Sequence, residues 1–129
     1  MKNLEQIRAM TAMAYATAGV NTQGTKGGEV VKKLPALIMS NGLLAAGAFA
    51  YAKGDGEGWY VCFDHIASHL AHSEIAVVPR DNKNLKSLMK HLSEEADSHA
   101  LKMATEEALA WLAYAKRFVK KGPEEEEEE

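Results

Sequence analysis

The sequence predicts an all-α fold: a single compact helical domain of five to seven helices around a central, nearly uncharged helix pair. Alanine is abundant while β-branched residues are few and scattered, a balance that favours helix over strand. Apolar residues recur at spacings of three and four along most of the chain. The third observation is the stretch LPALIMSNGLLAAGAFAYA, residues 34–52, nineteen residues without a charge and flanked by Lys32, Lys33 and Lys53. Within it Leu34, Ile38, Asn41, Ala45, Ala48 and Ala52 keep helical period, Leu37, Leu44 and Tyr51 fill a second seam, and Phe49 a third. A helix apolar on most of its circumference is either a buried core helix or a membrane span, and this one reaches the span threshold in length. Pro35, the Ser40-Asn41-Gly42 interruption and an interior of Ala and Gly argue against the span, because an unpaired Asn amide at mid-bilayer is costly. The stretch is expected to be core, kinked or broken at Asn41-Gly42, with no membrane association. Small residues there let neighbouring helices approach closely.

At 129 residues the chain suits one domain with a single core. The single cysteine, Cys62, rules out a disulfide framework and fits a reducing, cytoplasmic setting. No N-terminal stretch reads as a secretion signal. The formal charge of −3 conceals an asymmetry: six of the eighteen acidic residues are the run Glu124 to Glu129 after Gly122-Pro123, which leaves 15 basic against 12 acidic residues elsewhere. A run of like charges repels itself. The expectation is a mildly basic helical domain over 1–122 and a disordered acidic tail over 123–129.

The first helix is expected over Lys2 to Ala18, with Leu4, Ile7, Thr11, Ala14, Tyr15 and Ala18 as its stripe and Gly19 as its stop. Asn21 to Gly28 reads as a polar connector, since its glycines lack the strand and the Gly-Lys-Ser/Thr order of a phosphate loop. A second helix begins near Glu29 and enters the uncharged stretch, with a kink expected at Pro35 because proline leaves the Val31 carbonyl without its donor. Lys53 to Gly58 reads as a turn. A third helix should bury Trp59, Cys62, Phe63, Ile66 and Leu70, and Glu74 to Pro79 should be irregular. Asn82 is the expected cap of a short helix carrying Leu85, Leu88, Met89 and Leu92. Ser93 is the expected cap of a last helix to about Lys120, with Glu94 and Glu95 in its first turn and Lys116-Arg117 near its end, as the dipole favours.

Three groups of residues invite chemistry. His65, His69 and His72 lie at i, i+4 and i+7 on one helix face, where neutral imidazoles could hold a metal; the further ligands of a closed site are missing, and no HExxH pattern supplies a base. Among the carboxylates, Glu94, Glu95, Asp97, Glu106 and Glu107 read as a solvated, capping face, and Cys62 reads as a buried thiol of low reactivity. No catalytic residue, metal site or cofactor follows from these. The basic residues carry more. Lys83, Lys86 and Lys90 form a cationic stripe opposite Leu85, Leu88 and Leu92, with Arg80 just ahead, while Lys32-Lys33 and Lys116-Arg117 with Lys120-Lys121 make two further clusters. A polyanion partner fits this pattern, contacted through its backbone without sequence readout, since no aromatics interleave for base stacking.

The run Lys32-Lys33-Leu34-Pro35-Ala36-Leu37-Ile38-Met39-Ser40-Asn41-Gly42-Leu43, followed by Ala48-Phe49, resembles the small subunit of type III-B CRISPR effector complexes, the Cmr complexes. Arg8 in the first helix, Trp59 opening the middle one, and Thr105-Glu106-x-Ala108-Leu109-x-Trp111-Leu112 leading to Lys116-Arg117-Phe118 are similar in order. The likeness extends over about residues 2–121. Two features depart from it: Ala113-Tyr114-Ala115 separates Trp-Leu from the basic pair, and the glutamate run is no part of the pattern. The resemblance implies a small α-helical protein without enzymatic activity or cofactor, working in antiviral defence. Copies would stack in a short filament with other Cmr subunits and line the channel for guide RNA and target RNA, cleavage belonging to the backbone subunit. Lys32, Lys33, Arg80, Lys83, Lys86, Lys90, Lys116 and Arg117 are then the candidate RNA-binding residues, through sequence-independent contacts. The competing reading is a stand-alone helical metalloprotein or hydrolase using His65, His69 and His72.

Overall fold

In the computed structural model, which describes residues 2–18 and 28–119, six helices account for 75% of the described residues: α1 (Leu4–Ala16), α2 (Gly28–Asn41), α3 (Leu43–Lys53), α4 (Gly58–Leu70), α5 (Leu85–Glu94) and α6 (Ser98–Phe118). No strand occurs among the described residues. Of the connector expected over Asn21 to Gly28, Gly28 instead opens α2; its other residues, the stop at Gly19, and residues 120–129 with Lys120, Lys121 and the glutamate run lie outside the described residues.

Side-chain caps set the starts of three helices. Asn3 and Gln6 form a reciprocal capping box, each side chain accepting from the other's backbone N–H at 2.9 Å, which satisfies donors the first turn leaves orphaned. Asn84, not Asn82, caps α5 by accepting from Ser87 N–H. Asn82 lies in the preceding turn, where both its backbone and side-chain nitrogens donate to the Pro79 carbonyl. Asp97, not Ser93, caps α6 by accepting from Ala100 N–H at 2.8 Å. Glu94 and Glu95 therefore close α5 rather than open α6. The Asp64 carboxylate on α4 accepts from Leu85 N–H at 2.8 Å, tying the start of α5 to the helix it packs on.

The uncharged stretch is two helices, as the Asn41-Gly42 signal predicts. The Gly42 N–H still completes the α2 ladder to the Ile38 carbonyl at 2.7 Å, and its own carbonyl receives Ala46 N–H at 3.1 Å to open α3. Between those bonds the backbone turns through φ +93°, ψ 160°, a region essentially reserved for glycine. Asn41 is exposed, and its amide reaches only the Leu37 carbonyl at 3.4 Å, so the break rests on the glycine. α2 continues through Pro35 to Asn41.

Half of this pair is core. Val30, Val31, Leu34, Ile38, Leu43, Ala46, Gly47 and Ala50 are buried, whereas Asn41, Ala45, Ala48 and Ala52 face outward with Met39, Phe49 and Tyr51. α4 is the helix that packs against all the others, α1, α2, α3, α5 and α6. Its Cys62, Phe63, Ile66, Ala67 and Leu70 are buried as the spacing predicts, with Trp59 at the margin. A Cβ at Gly47 would run into the Met89 thioether, so the tip of Met89 occupies the space over Gly47 where α3 packs on α5. α1 and α6 pack along each other, with Ala12 and Tyr15 in the same buried core as Trp111 and Leu112. No helix among the described residues is long and apolar enough to cross a membrane.

Candidate nucleic-acid interface

α5 is strongly two-faced. Leu85, Leu88 and Leu92 are buried in the core, which leaves Lys86 and Lys90, one turn apart, on the outer surface. Lys83 precedes the helix rather than belonging to it, so the expected three-lysine helical stripe becomes two helical lysines with Arg80 and Lys83 in the turn at their foot. All four side chains are exposed, and none forms an ion pair among the described residues. Positive charge thus runs from the 80–84 turn along α5 without an ion pair, with Asp81 the one carboxylate within the turn.

The other basic residues lie elsewhere. Lys32 and Lys33 are exposed on α2, with Lys33 4.0 Å from Glu29 one turn earlier. Lys116 and Arg117 are exposed at the end of α6, and the Arg117 guanidinium donates to the Ala113 carbonyl at 2.8 Å. Both cations lie in the last turn of α6, where the helix dipole favours positive charge. α2 and α6 pack on one another, whereas α5 packs on α3 and α4. The sequence clusters therefore sit on three elements: α2, α5 with the turn before it, and the end of α6.

The three histidines do not converge. His65 stacks edge-on against Tyr15 with centroids 4.9 Å apart, and burial lowers its basicity, partly opposed by Asp64. His72 stands at the surface beyond α4. His69 is buried and belongs to a network no sequence motif announced. Its Nε2 lies 2.9 Å from the Glu107 carboxylate and its Nδ1 2.7 Å from the Thr11 hydroxyl. Arg8 donates to the same carboxylate through Nε at 2.8 Å and a terminal nitrogen at 2.7 Å. Trp111 Nε1–H donates to Thr11 Oγ1 at 3.0 Å. These contacts form one continuous chain, Trp111 to Thr11, Thr11 to His69 and His69 to Glu107, with Arg8 on the far side of the carboxylate. Glu107, expected on a solvated face, is 7 % exposed. Burial alone would raise its pKa, yet the hydrogen bonds and charges of Arg8 and His69 bring it down to about 2. The Arg8 guanidinium, held by Glu107, is pushed above its ordinary value.

This network joins α1, α4 and α6, and its carboxylate is consumed by its partners. No cluster of three or more metal-ligating side chains occurs among the described residues, so the metalloprotein reading loses its assembled site. Cys62 is buried and burial pushes its thiol up to about 12, a hydrogen bond with Tyr15 opposing. A signal for Glu107 was present in the sequence. It sits in phase with Ala104, Ala108, Trp111, Leu112 and Ala115, all buried on α6, and a carboxylate on an apolar stripe must have a partner.

An all-helical domain with a sealed polar clamp and one unneutralised basic edge is the kind of protein these residues build. The chain matches the family model for CRISPR-associated protein (Cas_Cmr5) over residues 4–121. It belongs to that family, the small subunit of type III-B CRISPR systems, and its partners are other Cmr subunits. No curated protein matches, nor does any solved structure.

Proposed function

We propose that this chain is a non-catalytic building block of a type III-B effector, stacking with copies of itself and lining the guide and target RNA channel in antiviral defence. The observation that carries the RNA part is the α5 edge. Arg80, Lys83, Lys86 and Lys90 are exposed and unpaired among the described residues, while the leucines behind them anchor the helix in the core. Such cations follow phosphates and carry no sequence information, which suits a subunit that must accept any guide. Lys32 and Lys33 on α2 and Lys116 and Arg117 on α6 are the other basic residues, whose partner is RNA or a neighbouring subunit.

The test is charge reversal in the assembled complex. Lys83→Glu, Lys86→Glu and Lys90→Glu together should leave co-purification with other subunits intact and weaken target-RNA capture. Each lost phosphate contact should flatten the salt dependence by about 0.7 in slope for a single strand. Normal capture by this variant, with loss on reversing Lys116 and Arg117, would place the channel at the end of α6.

A further inference from the structure

At the foot of the α5 edge, the end of α4 and the turn at 80–83 border an open surface cleft of ≈ 450 Å³, lined by Ser68, Ala71, His72, Ser73, Arg80 and Lys83. Every polar side chain on its wall can donate. The Ser68 and Ser73 hydroxyls and the Arg80 and Lys83 cations make no hydrogen bond or ion pair with other described residues. His72 is oriented: its Nδ1 accepts from Glu74 N–H at 3.1 Å, which places the ring proton on Nε2 as a donor. The nearby carboxylates of Glu74 and Asp81 do not line the cleft, and Asp64 is engaged by the start of α5.

We propose that this cleft is a phosphate-binding site, in which Arg80 and Lys83 supply charge and Ser68, His72 and Ser73 supply hydrogen bonds to the oxygens of one phosphate. A tetrahedral oxyanion has the acceptors to use several converging donors, and charge-assisted bonds to it are the strong ones. The volume exceeds that of a phosphate alone and leaves room for the sugars on either side of a phosphodiester. The RNA backbone as the source rests on the function proposed above; the anion chemistry of the cleft does not. The site then differs from the lysines of α5, which meet phosphates as point charges, by fixing the position of one of them.

Backbone amide shifts of the full chain, followed by NMR, test this with two probes at constant ionic strength set by sodium chloride: inorganic phosphate and a short single-stranded oligoribonucleotide without terminal phosphates. Both should saturably shift the amides of 68–73 and 80–83. Arg80→Gln with Lys83→Gln should weaken the response roughly tenfold or abolish it, and Ser68→Ala with Ser73→Ala should weaken it at unchanged net charge. These residues are exposed, so the variants should stay folded, which the remaining amide shifts verify. A response to inorganic phosphate without one to the oligonucleotide supports the anion site and overturns RNA as its source. Oligonucleotide shifts confined to 86–90, with none at the cleft from either probe, overturn the site and leave the RNA-channel reading intact. A phosphate response untouched by both variants also overturns it.

Discussion

Glu107 shows what a single buried charge does in this protein. Its carboxylate is enclosed by groups from α1 and α4, and the lowering of its pKa to about 2 means that folding favours the ionised form. Stability from this source is fully present above the unfolded value of about 4.5 and is lost as pH falls toward 2. A shift of that size corresponds to a contribution on the order of 3 kcal/mol. Glu107→Gln should therefore lower stability by about 2 to 3 kcal/mol at pH 7, because Arg8 loses its bidentate partner and a buried pair is broken. The difference between wild type and variant should shrink as pH is lowered from 5 to 3 in urea melts. A gap that stayed constant over that range would show the carboxylate to be unimportant in its charged form. Cys62, by contrast, should stay inert toward thiol reagents in the native state, with labelling only on unfolding.

At the scale of the helix, the Gly42 break carries a sharper expectation than the residue beside it. A Cβ at Gly42 would meet no neighbouring atom, so any penalty for Gly42→Ala is backbone strain at φ +93°, about 1 to 3 kcal/mol. Asn41→Leu should change stability by about 0.5 kcal/mol or less, since that side chain is exposed. Thermal melts of the two variants check the ranking, and an equal loss in both would return the role to the asparagine amide. This break was legible in the sequence because glycine and asparagine are punctuation by their own chemistry. The starts of α5 and α6 were less so. Asn82 and Asn84, or Ser93 and Asp97, are capping residues of similar strength, and what decides between them is where Leu85 and the buried face of α6 meet the core. The same tertiary choice moved Lys83 off the helix and out of the stripe its spacing suggested. The Arg8–Glu107 pair was illegible for a different reason. Its members are 99 positions apart, and charged side chains are solvated unless a fold supplies partners.

For the whole molecule, the question is how the opposite charges of the chain divide the work. Glu124 to Glu129 carry six of its eighteen acidic residues, and without them the formal charge passes from −3 to +3. The cations of the α5 edge have no carboxylate partner among the described residues, so the field an approaching RNA meets depends on distant charges as well as local ones. Exposed charges act over about 10 Å at 0.1 M salt and about 3 Å at 1 M. Deleting residues 124–129 should therefore tighten the weak, sequence-independent binding of single-stranded RNA by the isolated protein at low salt, and the gain should disappear as salt rises. Replacing the six glutamates with glutamines should reproduce the deletion if charge is the cause, whereas a length effect would leave the glutamine variant like wild type. Fluorescence anisotropy with one oligoribonucleotide across a salt series distinguishes the two. Equal affinity of all three proteins at low ionic strength would show that the α5 edge meets RNA beyond the reach of those six charges.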